Sequence, residues 1–234
     1  MIPLKDDTPR LTTPYINYFL IALNTAIFLF QQLLDRPAHD AFLYQFGMVP
    51  ARVTGALHGA PDASLGLGVL TIFTSMFLHA NWLHLISNMW ALWIFGDNIE
   101  DHLGHFRYLL FYFGTGLAAS LLHIAFNFGT QIPSVGASGA IAGVMGAYLR
   151  LFPRARIVTL VPVLFFPLFF EVPAFLFMGF WFFMQLLSGA VSLAVTNTGE
   201  GIAWWAHIGG FSVGFFLIKR LCSSRPGRCY GGEV

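Results

Sequence analysis

Long apolar runs dominate this sequence and restrict the folds that the chain can adopt. Hydrophobic residues make up 56% of its 234 residues and charged residues only 10%, whereas soluble domains carry about 25% charge. Runs of about 20 apolar residues can cross a bilayer, and a helix satisfies its own backbone hydrogen bonds in lipid. The sequence therefore predicts an all-α polytopic membrane protein. Its net charge of +1 gives no indication of nucleic-acid binding.

Six spans are predicted, separated by polar segments or by segments rich in glycine and proline. They lie at about Tyr15–Leu34, 80–96, 106–126, 138–151, 172–192 and 202–219. A cleaved signal peptide is the alternative for the first run, but that run is too long and no small-residue cleavage site follows it. The run 157–170 contains Pro162 and Pro167, so we expect no straight span there.

The segments outside the spans define the remaining organisation. Residues 1–14 are polar, and we expect them to be a disordered lead to a membrane domain of residues 15–221. Residues 35–70 are too apolar for a free linker and too broken for a span. They predict a long loop, partly in the membrane interface, between the first two spans. Residues 96–104 predict an acidic turn after span two, and residues 222–234 a short tail.

The basic residues indicate how the spans are oriented, because cytoplasmic loops of membrane proteins carry an excess of Lys and Arg. With the N-terminus inside, ten of the 12 basic residues fall on the inner side, and only Arg36 and Arg52 fall outside. We therefore expect an even number of spans and two cytoplasmic termini. The expected location is the cell (inner) membrane, with the outer ends of the spans facing away from the cytoplasm.

Polar residues interrupt three of the predicted spans at similar depth near the outer face. Ser138 begins span four, His84 and Asn88 lie near the start of span two, and His207 is five residues into span six. His84 and Asn88 share a helix face, and polar side chains within spans usually face the bundle interior. For each residue taken alone, the alternative is a structural role in helix–helix hydrogen bonding or close packing.

His79 also belongs to the predicted second span, where it packs beside these residues or lies at the interface. Three histidines make a metal site an alternative. However, the sequence has no His-Glu-x-x-His pattern and no carboxylate within a span near the outer leaflet. We therefore expect no metal.

Small residues on spans four and six favour a contact between Ser138 and His207. They are Gly139, Gly143 and Gly146 on span four, and Ala206, Gly210 and Gly214 on span six. Such residues let two membrane helices approach closely, as a serine and an imidazole on different helices must do to meet. A serine is a weak nucleophile until a base accepts its proton, so the combination favours Ser138 as a nucleophile.

Taken together, these motifs resemble those of the rhomboid intramembrane serine proteases. The matching residues are His79-x4-His84-x3-Asn88, Gly136-x-Ser138-Gly139 and Ala206-His207-x2-Gly210, with the stretch Gly96–Gly104 after span two. The resemblance covers residues 15–221 and implies a six-transmembrane-helix rhomboid-like bundle. One difference is Ala142, at a position where some members carry an aromatic residue that packs on the catalytic histidine.

The resemblance also implies a function: a serine endopeptidase that cleaves single-span membrane proteins, its partners in the lipid bilayer, near the outer end of their transmembrane segment. Ser138 and His207 would form a catalytic dyad. His84, Asn88 and the backbone N–H of Ser138 would form the oxyanion hole. The supporting residues would be His79, Gly136, Gly139 and Gly210. Hydrolysis by a dyad needs no cofactor.

Two other functions are alternatives. A catalytically silent rhomboid-like protein would bind membrane clients without cutting them, although such relatives typically lack the serine or the histidine. A small transporter would use the histidines as a proton relay. It would show internal repeats, but the two halves of this sequence carry different motifs.

Overall fold

The computed structural model describes residues 1–60, 64–163, 166–194 and 203–223, and these ranges are mostly helical. The helices are α1 (Tyr15–Leu33), α2 (Arg36–Phe46), α3 (Pro50–Leu57), α4 (Leu65–Thr74), α5 (Trp82–Leu103), α6 (His105–Phe126), α7 (Ser138–Leu151), α8 (Ala174–Ala194) and α9 (Trp204–Ser223). The strands are β1 (Ile2–Asp6), β2 (Arg156–Val163) and β3 (Phe166–Pro173). Most of the predicted tail, from residue 224 onward, lies outside the described residues.

Three helices in the described ranges are long and apolar enough to cross a membrane. They are Tyr15–Leu33, His105–Phe126 and the stretch Ala174–Leu193 of α8. A fourth candidate is the bent pair Leu65–Phe77 and Trp82–Leu103, whose two parts meet at 83°. The prediction of an integral membrane protein is therefore confirmed. α5, α7 and α9 cover the other three predicted runs.

α7 is the buried centre of the helical part. Every residue from Gly139 to Tyr148 is buried. A Cβ atom at Gly210 or Gly214 of α9 would run into the backbone carbonyl oxygen of Gly139 or Gly143. The close glycine contact predicted between these two helices is confirmed, and it brings their backbones together at the end where Ser138 lies.

The expectation of an all-α protein is wrong, because the three strands form an antiparallel sheet in the order β1–β2–β3. β2 and β3 form a hairpin in which Pro162 pairs with Pro167. The pairing of β1 with β2 ends at Leu160, so Pro162 lies beyond it, and its missing N–H is tolerated there. The prediction that no straight span occupies 157–170 is confirmed.

The expected disorder of residues 1–14 is also wrong. Ile2 pairs with Leu160 in the sheet. The backbone N–H of Leu11 donates to the carboxylate of Asp101 at 3.0 Å, and the Thr12 hydroxyl donates to the same carboxylate. These partners lie far away in the sequence, so the local polar composition gave no sign of them.

The predicted acidic turn at 96–104 is helical as far as Leu103, and the chain turns at Gly104, whose φ is 76°. The Glu100 carboxylate is fully buried and accepts hydrogen bonds from the backbone N–H groups of Ile16 at 3.0 Å and Asn17 at 2.7 Å. These N–H groups belong to the first turn of α1, where a helix lacks internal acceptors and favours an anion. The acidic stretch therefore joins α5 to α1.

The predicted long loop at 35–70 is helical over most of its described part, in α2, α3 and α4. Asp35 caps α2 by accepting a hydrogen bond from the Ala38 N–H at 3.0 Å. Pro37 and Pro50 lie in first turns, where a helix tolerates proline. These local features favour short helices, which the structure has in place of the predicted loop. The position of the segment in the membrane interface stays a prediction.

Candidate active site

Ser138 is the first residue of α7, and the backbone before it is held in an unusual conformation. Gly136 has a φ of 126°, which residues with side chains rarely adopt, and its N–H donates to the Ser75 carbonyl at 2.9 Å. A Cβ at Gly136 would lie 2.6 Å from Nε2 of His84. Glycine is therefore required at this position. The N–H of Ser138 belongs to the first turn, which leaves such groups without an intrahelical acceptor.

Ser138 and His207 meet between α7 and α9. His207 lies in the first turn of α9, and its Nε2 is 2.8 Å from Oγ of Ser138. Both residues are half-buried. A neutral imidazole nitrogen at this distance can accept the hydroxyl proton. The structure brings the two side chains within hydrogen-bonding distance, and their catalytic roles stay a prediction.

Gln185 of α8 completes the surroundings of His207, and the sequence analysis did not single it out. Its Oε1 is 2.8 Å from Nδ1 of His207, and its side chain is buried. The only local sign was an amide in a run rich in phenylalanine, since polar residues within spans tend to face the bundle interior.

Aromatic rings from α8 and α9 lie against His207. The ring centroid of Trp181 is 5.8 Å away and that of Trp204 is 6.4 Å away. α7 has Ala142 at the position where the resemblance of the motifs implied an aromatic residue in some related proteins. Here the rings beside the histidine come from the neighbouring helices, so Ala142 does not leave the imidazole without aromatic neighbours.

His79 lies before α5, outside the helix that was predicted to contain it. It is fully buried, and its Nε2 is 3.0 Å from Nδ2 of Asn88. Gln31 of α1 accepts from the His79 N–H at 3.2 Å and donates to the His79 carbonyl at 3.1 Å. The ring centroids of His79 and His84 are 5.0 Å apart. His79 thus touches His84 and Asn88, the two side chains predicted to contribute to the oxyanion hole.

The predicted site residues converge on one end of the helical bundle. Ser138 begins α7, His207 lies in the first turn of α9, and His84 lies in the first turn of α5. Gly136 connects the groups, because the position of its absent Cβ is 2.6 Å from Nε2 of His84 and 3.7 Å from Nδ2 of Asn88. Among the residues that the structure describes, no group of three histidine, cysteine or acidic side chains could hold a metal ion.

A cavity adjoins Ser138 on the side of α6. Its lining includes the polar side chains of Ser120, His123 and Ser134, together with Gly136 and Ser138. Hydroxyl and imidazole groups supply the hydrogen-bonding partners that a water molecule needs in a protein interior. The structure is therefore that of an integral membrane protein in which Ser138 and His207 pair between two helices. A cavity with polar lining residues lies beside this pair.

Comparison with known proteins assigns this protein to a family. The rhomboid domain matches residues 67–224, which is more than half of the chain. The chain therefore belongs to the rhomboid family, and the prediction of this family is confirmed.

Three of the named relatives come from a yeast, a bacterium and a plant. The mitochondrial Rhomboid protein 1 of Saccharomyces cerevisiae is 32% identical over 154 residues, which are 62% of this chain and 40% of that protein. Rhomboid protease GluP of Bacillus subtilis is 31% identical over 161 residues, 67% of this chain and 27% of that protein. The mitochondrial RHOMBOID-like protein 12 of Arabidopsis thaliana is 30% identical over 171 residues, 66% of this chain and 47% of that protein. The chain thus spans less than half the length of these three relatives.

Proposed function

We propose that this protein is an intramembrane serine endopeptidase that cleaves single-span membrane proteins near the outer end of their transmembrane segment. The observation that carries this proposal is the 2.8 Å contact between Ser138 Oγ and His207 Nε2 in a protein with membrane-spanning helices. Family membership supports it, since one similar bacterial protein is named a rhomboid protease.

In the proposed acylation step, Oγ of Ser138 attacks the carbonyl carbon of the scissile peptide bond while Nε2 of His207 takes the hydroxyl proton. The tetrahedral intermediate then collapses, the C–N bond breaks, and His207 returns the proton to the leaving amine. General acid–base catalysis of this kind contributes about 10²–10⁴ in rate. A substrate helix must unwind locally to expose its amide, so small or helix-breaking residues are expected near the cut.

The negative charge that develops on the carbonyl oxygen needs donors aimed at it. The proposed donors are the Ser138 N–H, His84 and the side-chain amide of Asn88. Asn88 Nδ2 carries two hydrogens, so its 3.0 Å contact with His79 leaves a second hydrogen for the substrate. His79 then acts as a support that holds the amide in place.

Deacylation reverses these roles. His207 takes a proton from a water molecule, the hydroxide oxygen attacks the acyl carbon, and the proton is returned to Oγ of Ser138 as the ester bond breaks. The cavity lined by Ser120, His123 and Ser134 beside Ser138 is the proposed route for that water. This assignment explains why polar side chains line the interior of a membrane protein at this point.

The proposed topology has six spans within residues 15–221, both termini in the cytoplasm of a cell (inner) membrane, and a site that opens to the outer side. α7 has only 14 residues, about 21 Å at 1.5 Å per residue, against about 30 Å of hydrocarbon. A helix this buried contacts protein more than lipid, so it need not match the bilayer. Its short length would place Ser138 below the outer surface, where water can reach it from outside.

The activity is tested by comparing newly formed N-termini in bacterial membranes that contain either the wild type or Ser138→Ala. We expect new termini within or next to single transmembrane segments, present with the wild type and absent with the variant. Ser192→Ala is the control, because its hydroxyl is bonded to the Gly189 carbonyl on α8 and the residue does not line this cavity. Identical N-termini in the wild type and Ser138→Ala would contradict the proposal. If single-span proteins then co-purified with both forms, a silent client-binding protein would be favoured.

A further inference from the structure

Gln185 is a buried amide on a helix that otherwise presents large apolar side chains outward. Its side chain is 6% exposed, whereas Phe180 and Phe183 on the same helix are 53% and 57% exposed. An amide that is buried in a membrane protein is costly unless its polar atoms are paired. Both polar atoms of Gln185 are paired, and one of the partners is the proposed catalytic base.

The two hydrogen bonds determine which way the amide faces. Nε2 of Gln185 donates to the Trp181 carbonyl at 3.3 Å, because a carbonyl oxygen can only accept. Oε1 is therefore the atom that lies 2.8 Å from Nδ1 of His207. The reversed amide would place an N–H group against Nδ1 and an oxygen against the Trp181 carbonyl oxygen.

The orientation of the amide in turn selects the tautomer of the imidazole. Oε1 can only accept, so Nδ1 of His207 must carry the hydrogen. A neutral imidazole carries one ring hydrogen, which leaves Nε2 with a free lone pair facing Oγ of Ser138 at 2.8 Å. This is the tautomer that a general base needs, since the hydrogen-bonding partner of one ring nitrogen decides the protonation of the other.

We propose that Gln185 is a positioning residue that holds His207 in the Nδ1–H tautomer and directs Nε2 toward Ser138. The proposal rests on the proposed protease function and deepens it, because it adds a neutral orienting group to the dyad. Gln185 takes the place that a carboxylate occupies in a serine–histidine–aspartate triad, without placing a charge in the membrane. Since the amide is on α8 and the base on α9, the hydrogen bond exists only while these two helices are packed together.

The test uses the full-length protein in detergent with two readouts. The first is the tautomer of His207, read from the nitrogen-15 chemical shifts of labelled histidine and assigned with His207→Gln. The second is the limiting rate of labelling of Ser138 by a fluorophosphonate. Gln185→Met keeps the length of the side chain and removes the acceptor. We expect it to populate the Nε2–H tautomer and to lower the limiting rate about tenfold, the effect of one ordinary hydrogen bond, with little change in the half-saturating probe concentration.

Two further variants separate positioning from folding. Gln185→Glu keeps an oxygen acceptor and should retain the Nδ1–H tautomer and most of the rate. Ser192→Ala, which removes a hydroxyl bonded to the Gly189 carbonyl on the same helix, should change neither readout. An Nε2–H tautomer in the wild type would overturn the proposal even if Gln185→Met failed to fold. So would an unchanged tautomer and rate in a folded Gln185→Met. If the wild type were not labelled at all, the protease proposal would fail. The tautomer of His207 would still show whether Gln185 orients the imidazole.

Discussion

At the scale of single residues, Gly136 links the two halves of the proposed site. Its φ of 126° presents Ser138 at the start of α7, and its missing side chain leaves room for the His84 ring. Position 136 thus combines a conformational requirement with a steric one. The two requirements can be separated by experiment, because other glycines of this chain have a positive φ but open space where a side chain would lie.

Gly136→Ala should lower the rate of fluorophosphonate labelling by about 10²-fold or more, because displacing His84 removes a proposed oxyanion donor. Gly129→Ala is the matched control. Gly129 has a φ of 75°, and a Cβ there would meet no described atom within 4 Å. Gly129→Ala should therefore lower the free energy of unfolding by about 1–3 kcal/mol. The labelling rate of the folded fraction should stay the same. Equal labelling rates in the two variants would contradict the proposed role of Gly136.

Asp6 connects the N-terminal strand to α7, because the Tyr148 hydroxyl donates to its carboxylate. Burial raises the pKa of Asp6 above its usual 3.8, against the opposing effect of the hydrogen bonds from Tyr148 and Thr8. A pKa that is higher in the folded state means that the protonated group favours folding. That contribution is present below about pH 4 and is lost as the pH rises through the folded-state pKa.

Asp6→Asn keeps an oxygen acceptor for Tyr148 and removes the charge. We expect a higher thermal unfolding temperature than the wild type near pH 8, with a difference that shrinks toward pH 4 as the wild-type carboxyl takes up a proton. Unfolding followed in detergent at both pH values measures this. A wild type that is the more stable protein near pH 8 would show that ionised Asp6 is not penalised by burial.

At the scale of elements, the contact between α7 and α9 determines whether Ser138 and His207 can meet. Gly210→Ala should separate the two helices, because the new Cβ would collide with the backbone carbonyl of Gly139. Overpacking of this kind costs about 1–3 kcal/mol or more. Both the unfolding temperature and the labelling of Ser138 should fall.

Gly114→Ala on α6 is the control for the packing prediction. It is also a glycine-to-alanine change within a span, but a Cβ there would meet no described atom within 4 Å. Alanine favours a helix over glycine, so this variant should be at least as stable as the wild type. A Gly210→Ala protein with unchanged stability and labelling would contradict the importance of the close helix contact.

Local sequence patterns predicted the long helices well, but α2, α3 and α4 were predicted as a loop, although their caps and first-turn prolines are local signals. The predicted first span ended at Leu34 and α1 ends at Leu33, while the predicted fourth span, 138–151, matches α7. The length of an apolar run and its flanking polar residues or glycines are local properties, so they can be read directly. The three site motifs could also be recognised in the sequence, because each contains a polar residue within an apolar run.

Three other features that the sequence did not predict depend on partners that are distant along the chain. β1 pairs residue 2 with residue 160, and nothing in the polar N-terminal segment indicates this neighbour. The sequence indicated only a turn at Glu100, because the N–H groups that donate to its carboxylate lie at the start of α1. Gln185 was missed for the same reason, since only the packing of α8 on α9 reveals its contact with His207.

At the scale of the whole molecule, the proposed orientation places the two ends of α7 on opposite sides of the membrane. Gln131, before α7, and Arg154, after it, are both exposed and suit cysteine labelling after Cys222 and Cys229 are replaced by serine. In bacterial spheroplasts, a membrane-impermeant maleimide should label Gln131→Cys at once and Arg154→Cys only after permeabilisation. The reverse pattern would place the site on the cytoplasmic side.

The most direct test of the central claim is to identify the residue that a fluorophosphonate modifies. The wild type, Ser138→Ala, His207→Ala and the control Ser192→Ala would each be treated in detergent, and the adduct located by mass spectrometry. We expect the phosphonyl group on Ser138 in the wild type and the control, and no modification in Ser138→Ala. In folded His207→Ala the adduct should be nearly absent, because a serine without its base is a weak nucleophile. Labelling of Ser138 that persists undiminished in His207→Ala, or a folded wild type without an adduct, would contradict the account.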